Sequence, residues 1–240
     1  MRVLALDTTS RALSAAVVED DRVRAERVGD TMRSHAERLP GALFEVMADA
    51  KIELAAIDVF AVAAGPGSFS GLRIGIATMQ GLAFVSGKRI VAVSALDALA
   101  HAAAHDAVEG TLVAAWIDAH RRDVFAALYR VGAAAPFSHG RVVGVDAASV
   151  GDPTAILARW ETVPDVFIGS GARLYLDVIA ARAPGTRVLD APPLAGVLGR
   201  VAVECARAGE TVAPAGVQPI YVRRPDAEIA REQKQAAGEP

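Results

Sequence analysis

Short apolar runs separated by polar turns open the chain. Val3–Asp7 runs into Thr8-Thr9-Ser10, Ala12–Val18 ends at Glu19-Asp20-Asp21, and Val23–Val28 follows. This spacing predicts three strands joined as an antiparallel meander. Ser34-His35-Ala36-Glu37 then has the spacing of a capping box. Beyond it Leu39, Leu43, Val46, Met47 and Ala50 recur at helical intervals, with Glu45 and Asp49 facing away. Pro40 suits a first helical turn and marks a kink if the helix starts at Ser34. Val59–Ala64 is continuously apolar, as a strand covered on both faces requires. After the turn Gly65–Gly71 come a helix from about Ser70 to Val85, a strand at Ile90–Val93, and a helix capped by Ser94 and Asp97. The first half reads β-β-β-α-β-α-β-α.

The second half begins in the same way. Strands are predicted at Leu112–Ile117, Val124–Val131 and Val142–Val145, with a polar turn at Asp118–Asp123 and a turn-rich loop at Ala133–Gly140. Asp152-Pro153 is a cap-then-proline helix start. A strand at Val166–Ile168, a helix over Ala172–Ala183 and an amphipathic helix carrying Leu194, Val197, Leu198, Val201, Ala202 and Cys205 complete the pattern, with Gly209 as the stop. Two halves, each a meander followed by α/β alternation, predict related architectures without a residue-level repeat. The units expected are 1–106 and 107–225, with a polar, frayed tail at 226–240.

Composition adds exclusions. The 240 residues are 52% hydrophobic, yet no apolar run approaches the roughly 18 residues that span a bilayer. The opening MRVLALDTTS lacks the features of a signal peptide, so a cytosolic location is expected, with no membrane partner. One cysteine, Cys205, excludes an intramolecular disulfide framework. A formal net charge of −3 does not provide the basic field by which proteins hold nucleic acid directly.

Gly65-Pro66-Gly67-Ser68-Phe69-Ser70-Gly71 is the sharpest local feature. It follows a strand and opens a helix, the setting of phosphate-cradling loops, but Leu72-Arg73 stands where a Walker loop has Lys-Ser/Thr. A tight structural turn formed by Gly65, Pro66, Gly67, Ser68, Phe69, Gly71 and Arg73 is the plainer reading. His101 and His105 lie four apart on a helix, without a third ligand. His120 sits in a charged turn with Arg121, Arg122 and Asp123. Cys205 is spaced as a core residue. Asp7 ends a buried strand where sugar kinases and actin-like ATPases hold Mg-nucleotide, but Thr8-Thr9-Ser10 lacks the glycine of their phosphate turn. No complete catalytic constellation and no metal site emerge. ATP or ADP between the lobes is the one candidate cofactor, with Asp7, Thr8, Thr9, Gly169 and Gly171 as its contacts.

Val3–Thr9, Ser34–Pro40 and above all Gly65–Gly75 resemble the TsaB (YeaZ) family, as does Pro219-Ile220-Tyr221-Val222-Arg223 near the end. The resemblance covers nearly the whole chain. It implies a two-lobed α/β fold of the actin/Hsp70/sugar-kinase type, each lobe a mixed sheet with helices. It implies a non-catalytic subunit that binds and supports TsaD in forming N6-threonylcarbamoyladenosine at position 37 of tRNAs reading ANN codons. TsaE joins the assembled complex, and tRNA contact is indirect. TsaD takes its metal from two histidines four apart at a place like His35, where this chain has Leu39. A nucleotide-dependent small-metabolite kinase of the same superfold is the alternative, and it needs a working turn after Asp7.

A partner surface is also expected. From Arg73 to Lys88 no charged residue intervenes, with Leu72, Ile76, Met79 and Ala83 on one side and Ile74, Ala77, Gly81 and Val85 on the other. A helix apolar all round needs covering all round. Leu39, Leu43, Met47, Leu72, Ile74, Ala77, Thr78, Gly81 and Val85 are therefore the candidate interface for TsaD, and for a second copy of this chain when TsaD is absent.

Overall fold

A computed structural model describes residues 1–29 and 35–223, so the expected cap at Ser34 and the tail at 226–240 lie outside the described residues. The first sheet contains β1 (Arg2–Asp7), β2 (Ser14–Glu19), β3 (Arg22–Val28), β4 (Val59–Gly65) and β5 (Arg89–Ser94), in the order β3-β2-β1-β4-β5. The second contains β6 (Leu112–Asp118), β7 (Val124–Val131), β8 (Val142–Gly151), β9 (Val166–Ile168) and β10 (Arg187–Leu189), in the order β10-β9-β6-β7-β8. Renumbered from its own start, the second sheet has the same order as the first. In both, the meander is antiparallel and the last two strands are parallel to the first. β10 completes the match and was not expected, because Arg187-Val188-Leu189 lacks the unbroken apolar run that marks Val166-Phe167-Ile168 as a strand. β8 runs six residues past its expected end.

Side chains alternate across each strand and so divide the core into three. Val3, Ala5, Val59, Ala61, Val113, Ala115, Val166 and Ile168 share one inner cluster with α3 (Ala95–Ala104) and α7 (Leu194–Arg207). Leu4, Leu6, Phe60 and Val62 point outward against α1 (His35–Ala50) and α2 (Phe69–Val85). On the far side, Ala114, Trp116 and Phe167 meet α4 (Pro153–Arg159), α5 (Ser170–Leu174) and α6 (Leu176–Arg182). The layers are thus helices, sheet, helices, sheet, helices. The helix expected over Ala172–Ala183 is broken at Tyr175, whose φ of −113° and ψ of 37° leave the helical range. Pro40 lies inside α1. Among the described residues no helix is long and apolar enough to cross a membrane.

The central helices exchange partners. α7 comes late in the chain but packs on the first sheet, while α3 packs mainly on the second. Ser14 Oγ accepts from the Ala195 N–H at 3.1 Å and a Glu26 carboxylate oxygen from the Gly196 N–H at 2.7 Å, capping the first turn of α7 from β2 and β3. On α3, Ser94 Oγ accepts from the Asp97 N–H as expected, and Tyr129 of β7 donates to Asp97 at 2.6 Å. Burial raises the Asp97 carboxyl above its ordinary range, against the opposing pull of the Tyr129 and Ser94 side chains. The loop between β7 and β8 brings Phe137 against both His101 and His105, with centroid distances of 6.2 and 5.2 Å. Arg141 secures this loop by donating to the carbonyls of Ala104, Ala107 and Gly132. Burial, and then the Arg141 guanidinium, lower the His101 pKa to about 4.

Two outcomes follow. His101 stays neutral in the fold, whereas an unfolded histidine takes up a proton near pH 6.5, so its contribution is present at neutral pH and is lost as pH falls from about 6.5 towards 4. Burial raises Asp7 and Glu26, as it does Asp97, and these act in the opposite sense; they are common to wild type and a His101 variant. The stability advantage of wild type over His101→Gln, measured by urea unfolding, should therefore shrink by about 2–3 kcal/mol between pH 7 and pH 4.5; a gap independent of pH contradicts this. The second outcome concerns α2, where an added Cβ at Gly75 would lie 2.1 Å from Thr8 Oγ1 and one at Gly81 would meet nothing within 4 Å. Gly75→Ala should cost about 1–3 kcal/mol and Gly81→Ala should add up to about 1 kcal/mol, read from the same unfolding midpoints.

Candidate functional site

At the end of β1 the chain turns through Thr8 and Thr9. Asp7 is 3% exposed, Thr8 0% and Thr9 5%. One Asp7 carboxylate oxygen accepts from both the Thr9 N–H at 2.8 Å and the Thr9 hydroxyl at 2.6 Å. Burial nevertheless raises the Asp7 carboxyl above its ordinary range, because desolvation outweighs the two bonds.

The Gly-rich turn fills the space in front of these residues. Ser68 N–H donates to the Thr9 carbonyl at 2.7 Å, and the Thr8 hydroxyl donates to the Gly71 carbonyl at 2.8 Å. A Cβ at Gly67 would stand 2.5 Å from the Thr9 carbonyl oxygen, so only glycine permits this approach. Gly65 has a φ of +117°, in the region glycine favours. Ser68 also caps α2 through the Gly71 N–H at 3.2 Å, so the helix starts at Phe69, one residue before the start expected at Ser70. Arg73 donates to Tyr221 Oη at 3.0 Å and lies 4.0 Å from the Phe69 ring centroid.

The corner does not fit a nucleotide phosphate. The Thr9 N–H is taken by Asp7, and the three residues are buried beneath the chain's own turn. Gly169 and Gly171 lie at the start of α5. Added Cβ atoms there would lie 2.1 Å from the Trp116 carbonyl oxygen and 2.9 Å from the Ile117 carbonyl carbon, so both glycines let α5 approach β6.

The remaining candidates separate cleanly. His101 is 7% exposed and stacked as described, and among the described residues no three His, Cys, Asp or Glu side chains gather as a metal site. Burial and Glu210 push the Cys205 thiol up to about 11, as packing rather than nucleophilic chemistry demands. Of the expected interface, Leu39, Leu43 and Leu72 face inward at 1%, 4% and 1% exposed, a correction to their reading as partner contacts: helical geometry assigns them to the core side. Met47, Ile74 and Thr78 are half-buried, and Thr78 donates to the Ile74 carbonyl at 2.8 Å. Ala77, Gly81 and Val85 face outward. Phe44 of α1 and Phe84 of α2, absent from that expected set, are 71% and 78% exposed, and Val85 of α2 is 75% exposed. Intervals of three and four residues from Gly41 to Ala48 and from Ala77 to Gly81 and Phe84 are the signal that could have found them. A groove of about 450 Å³ between α4 and α6, lined by Thr154, Leu157, Val178 and Ala181, lies on the opposite outer layer.

Known proteins place this architecture. The family model described as TsaD, tRNA N6-adenosine threonylcarbamoyltransferase, matches residues 29–137. A solved structure of YeaZ from Pseudomonas aeruginosa superposes with a TM-score of 0.75 at 29% identity, covering 92% of this chain and 99% of that one. An inorganic polyphosphate/ATP-glucomannokinase from Arthrobacter superposes with a TM-score of 0.50 at 12% identity, over 86% of this chain and 99% of that one, a likeness of fold alone. The two lobes are therefore of the actin/Hsp70/sugar-kinase type, as expected. The tRNA threonylcarbamoyladenosine biosynthesis protein TsaB of Bacillus subtilis is 30% identical over 185 residues, 75% of this chain and 75% of that one. With that identity over that span, and with the Gly65–Gly75 turn closed on Thr8 and Thr9, the chain belongs to the TsaB (YeaZ) family.

Proposed function

We propose that this chain is the accessory subunit that binds TsaD and supports it in forming N6-threonylcarbamoyladenosine at position 37 of tRNAs reading ANN codons. It carries no catalytic group of its own in that reaction. TsaE joins the assembled pair, tRNA is met through the partner, and the setting is the cytosol. The reading rests on family membership and on one structural observation. The stretch matched by the TsaD family model, 29–137, contains both α1 and α2, and these two helices leave Phe44, Phe84 and Val85 in solvent. Large apolar side chains this exposed on two neighbouring helices are the kind of surface a partner covers. A partner built on related helices offers a face of similar shape and apolarity, which is how two-fold and pseudo-two-fold contacts form. The same logic makes a homodimer through this face the competing state when TsaD is absent.

The filled corner supports an accessory role over a kinase. A small-metabolite kinase needs backbone donors open to phosphate after Asp7, and here the turn Gly65–Gly71 occupies that position. On the docking helix, Gly81 has open space around its Cα and Ala77 is exposed, so both tolerate change in the free chain.

Supplied with threonylcarbamoyl-adenylate and ATP, purified TsaD and TsaE should modify tRNA poorly alone and well with this chain added, scored as modified adenosine; equal activity without it contradicts the accessory role. Ala77→Glu and Gly81→Arg should each leave the free chain folded and weaken TsaD binding by about 3 kcal/mol, roughly a hundredfold, because a charge would be buried without a partner. Thr154→Glu, in the groove on the opposite layer, should bind as wild type does. Wild-type affinity in both α2 variants would remove this face as the interface.

A further inference from the structure

The segment that closes the described chain crosses from one lobe to the other within four residues. At its first end, the Ile220 N–H donates to the Ala64 carbonyl at 2.7 Å, and the Ile220 carbonyl oxygen would lie 2.7 Å from a Cβ at Gly65. Its backbone therefore rests directly on the Gly-rich turn. Tyr221 follows, with its ring 5.4 Å from that of Phe69 and its hydroxyl accepting from Arg73. Val222 packs on the inner core. Arg223 has by then reached the second sheet. It donates to the Ala119 carbonyl at 2.7 Å, pairs with Asp123 in the β6–β7 turn, and lies 5.8 Å from the Phe125 ring centroid. The pair is largely shielded, with side-chain exposures of 23% and 32%.

The two ends act on one another through the corner at Asp7. The Gly65–Gly71 turn fills that corner only while it is pressed against Thr8 and Thr9, and Ile220 is the group that backs it at Ala64 and Gly65. Ile220 and Tyr221 are 41% and 39% exposed, so burial alone does not anchor them there. Arg223 supplies a hydrogen-bonded, charge-assisted hold on the other lobe.

We propose that residues 219–223 form an interlobe latch that keeps the Asp7–Thr9 corner closed: Arg223 anchors to the β6–β7 turn, and the strap it tensions holds the Gly-rich turn on Thr8 and Thr9. Release of Arg223 frees the strap, and the turn then lifts from the corner. The latch is a property of the isolated chain and stands or falls apart from the identity of any partner.

Hydrogen exchange on the full chain tests it, read at the Thr9 amide, bonded to Asp7, and the Ser68 amide, bonded to the Thr9 carbonyl. Arg223→Ala should speed exchange at both amides at least tenfold, with the central amides of β1, β4 and β6 unchanged. Asp123→Ala, which leaves the strap itself intact, should give the same pattern. Arg89→Ala is the control, since Arg89 holds Thr211 below the strap, and it should exchange as wild type does at both amides. Wild-type rates at Thr9 and Ser68 in the two latch variants overturn the proposal. So does an equal acceleration over both sheets, which would report lost global stability. Should Arg223→Ala fail to fold, Asp123→Ala decides by the same criteria.

Discussion

The contact between the Gly65–Gly71 turn and the Thr8–Thr9 turn constrains the rest of the first lobe. Each supplies what the other lacks: Ser68 has a backbone donor for the Thr9 carbonyl, and Thr8 has a hydroxyl for the Gly71 carbonyl. The approach requires glycine at Gly67 and Gly75, where any side chain would collide with Thr9 or Thr8. Because the turn also starts α2, the same contact sets where that helix begins and which of its faces lies on the sheet. Leu72, Ile76, Met79 and Ala83 are thereby committed to the core, and Ala77, Gly81, Phe84 and Val85 to the outside. A corner that serves phosphate in enzymes of this architecture is here a packing contact that orients α2.

The rest of the interior is arranged to hold that geometry. α3 and α7 lie between two sheets of the same strand order, each packed on the sheet furnished mainly by the other half of the chain. Neither lobe keeps its full core without the other. The lobes are tied at one end by Phe137 and Arg141 against α3, and at the other by Tyr221 and Arg223.

Much of this was legible in the residues. The meander, the buried strand β4, the Ser94 cap and the Asp152-Pro153 start all follow from local chemistry, and each stands where its residues place it. What was not legible depends on distant parts of the chain. Gly67 and Gly75 read as punctuation, since nothing local shows that Thr9 and Thr8 will lie against them. The closeness of Gly169 and Gly171 to β6 likewise arises only in the folded lobe. On α2 both sides are apolar, so periodicity separated two stripes correctly without telling which one meets the sheet. That ambiguity accounts for Leu72 alone, which lies on the stripe that meets the sheet, whereas Leu39 and Leu43 of α1 lie opposite the polar side marked by Glu45 and Asp49, and Phe44 stands on that polar side. The exchange of α3 and α7 between sheets has no local signature at all.

Side-chain footprinting of the outer helices tests the central claim most directly. Hydroxyl-radical labelling of this chain alone should modify Phe44 and Phe84 readily, at 71% and 78% exposure, together with Val143 and Val145 on β8, at 49% and 50%. Adding TsaD should suppress labelling at Phe44 and Phe84 severalfold and leave Val143 and Val145 unchanged. Undiminished labelling of both phenylalanines in a saturated complex, or protection confined to the second lobe, would contradict a docking face made by α1 and α2.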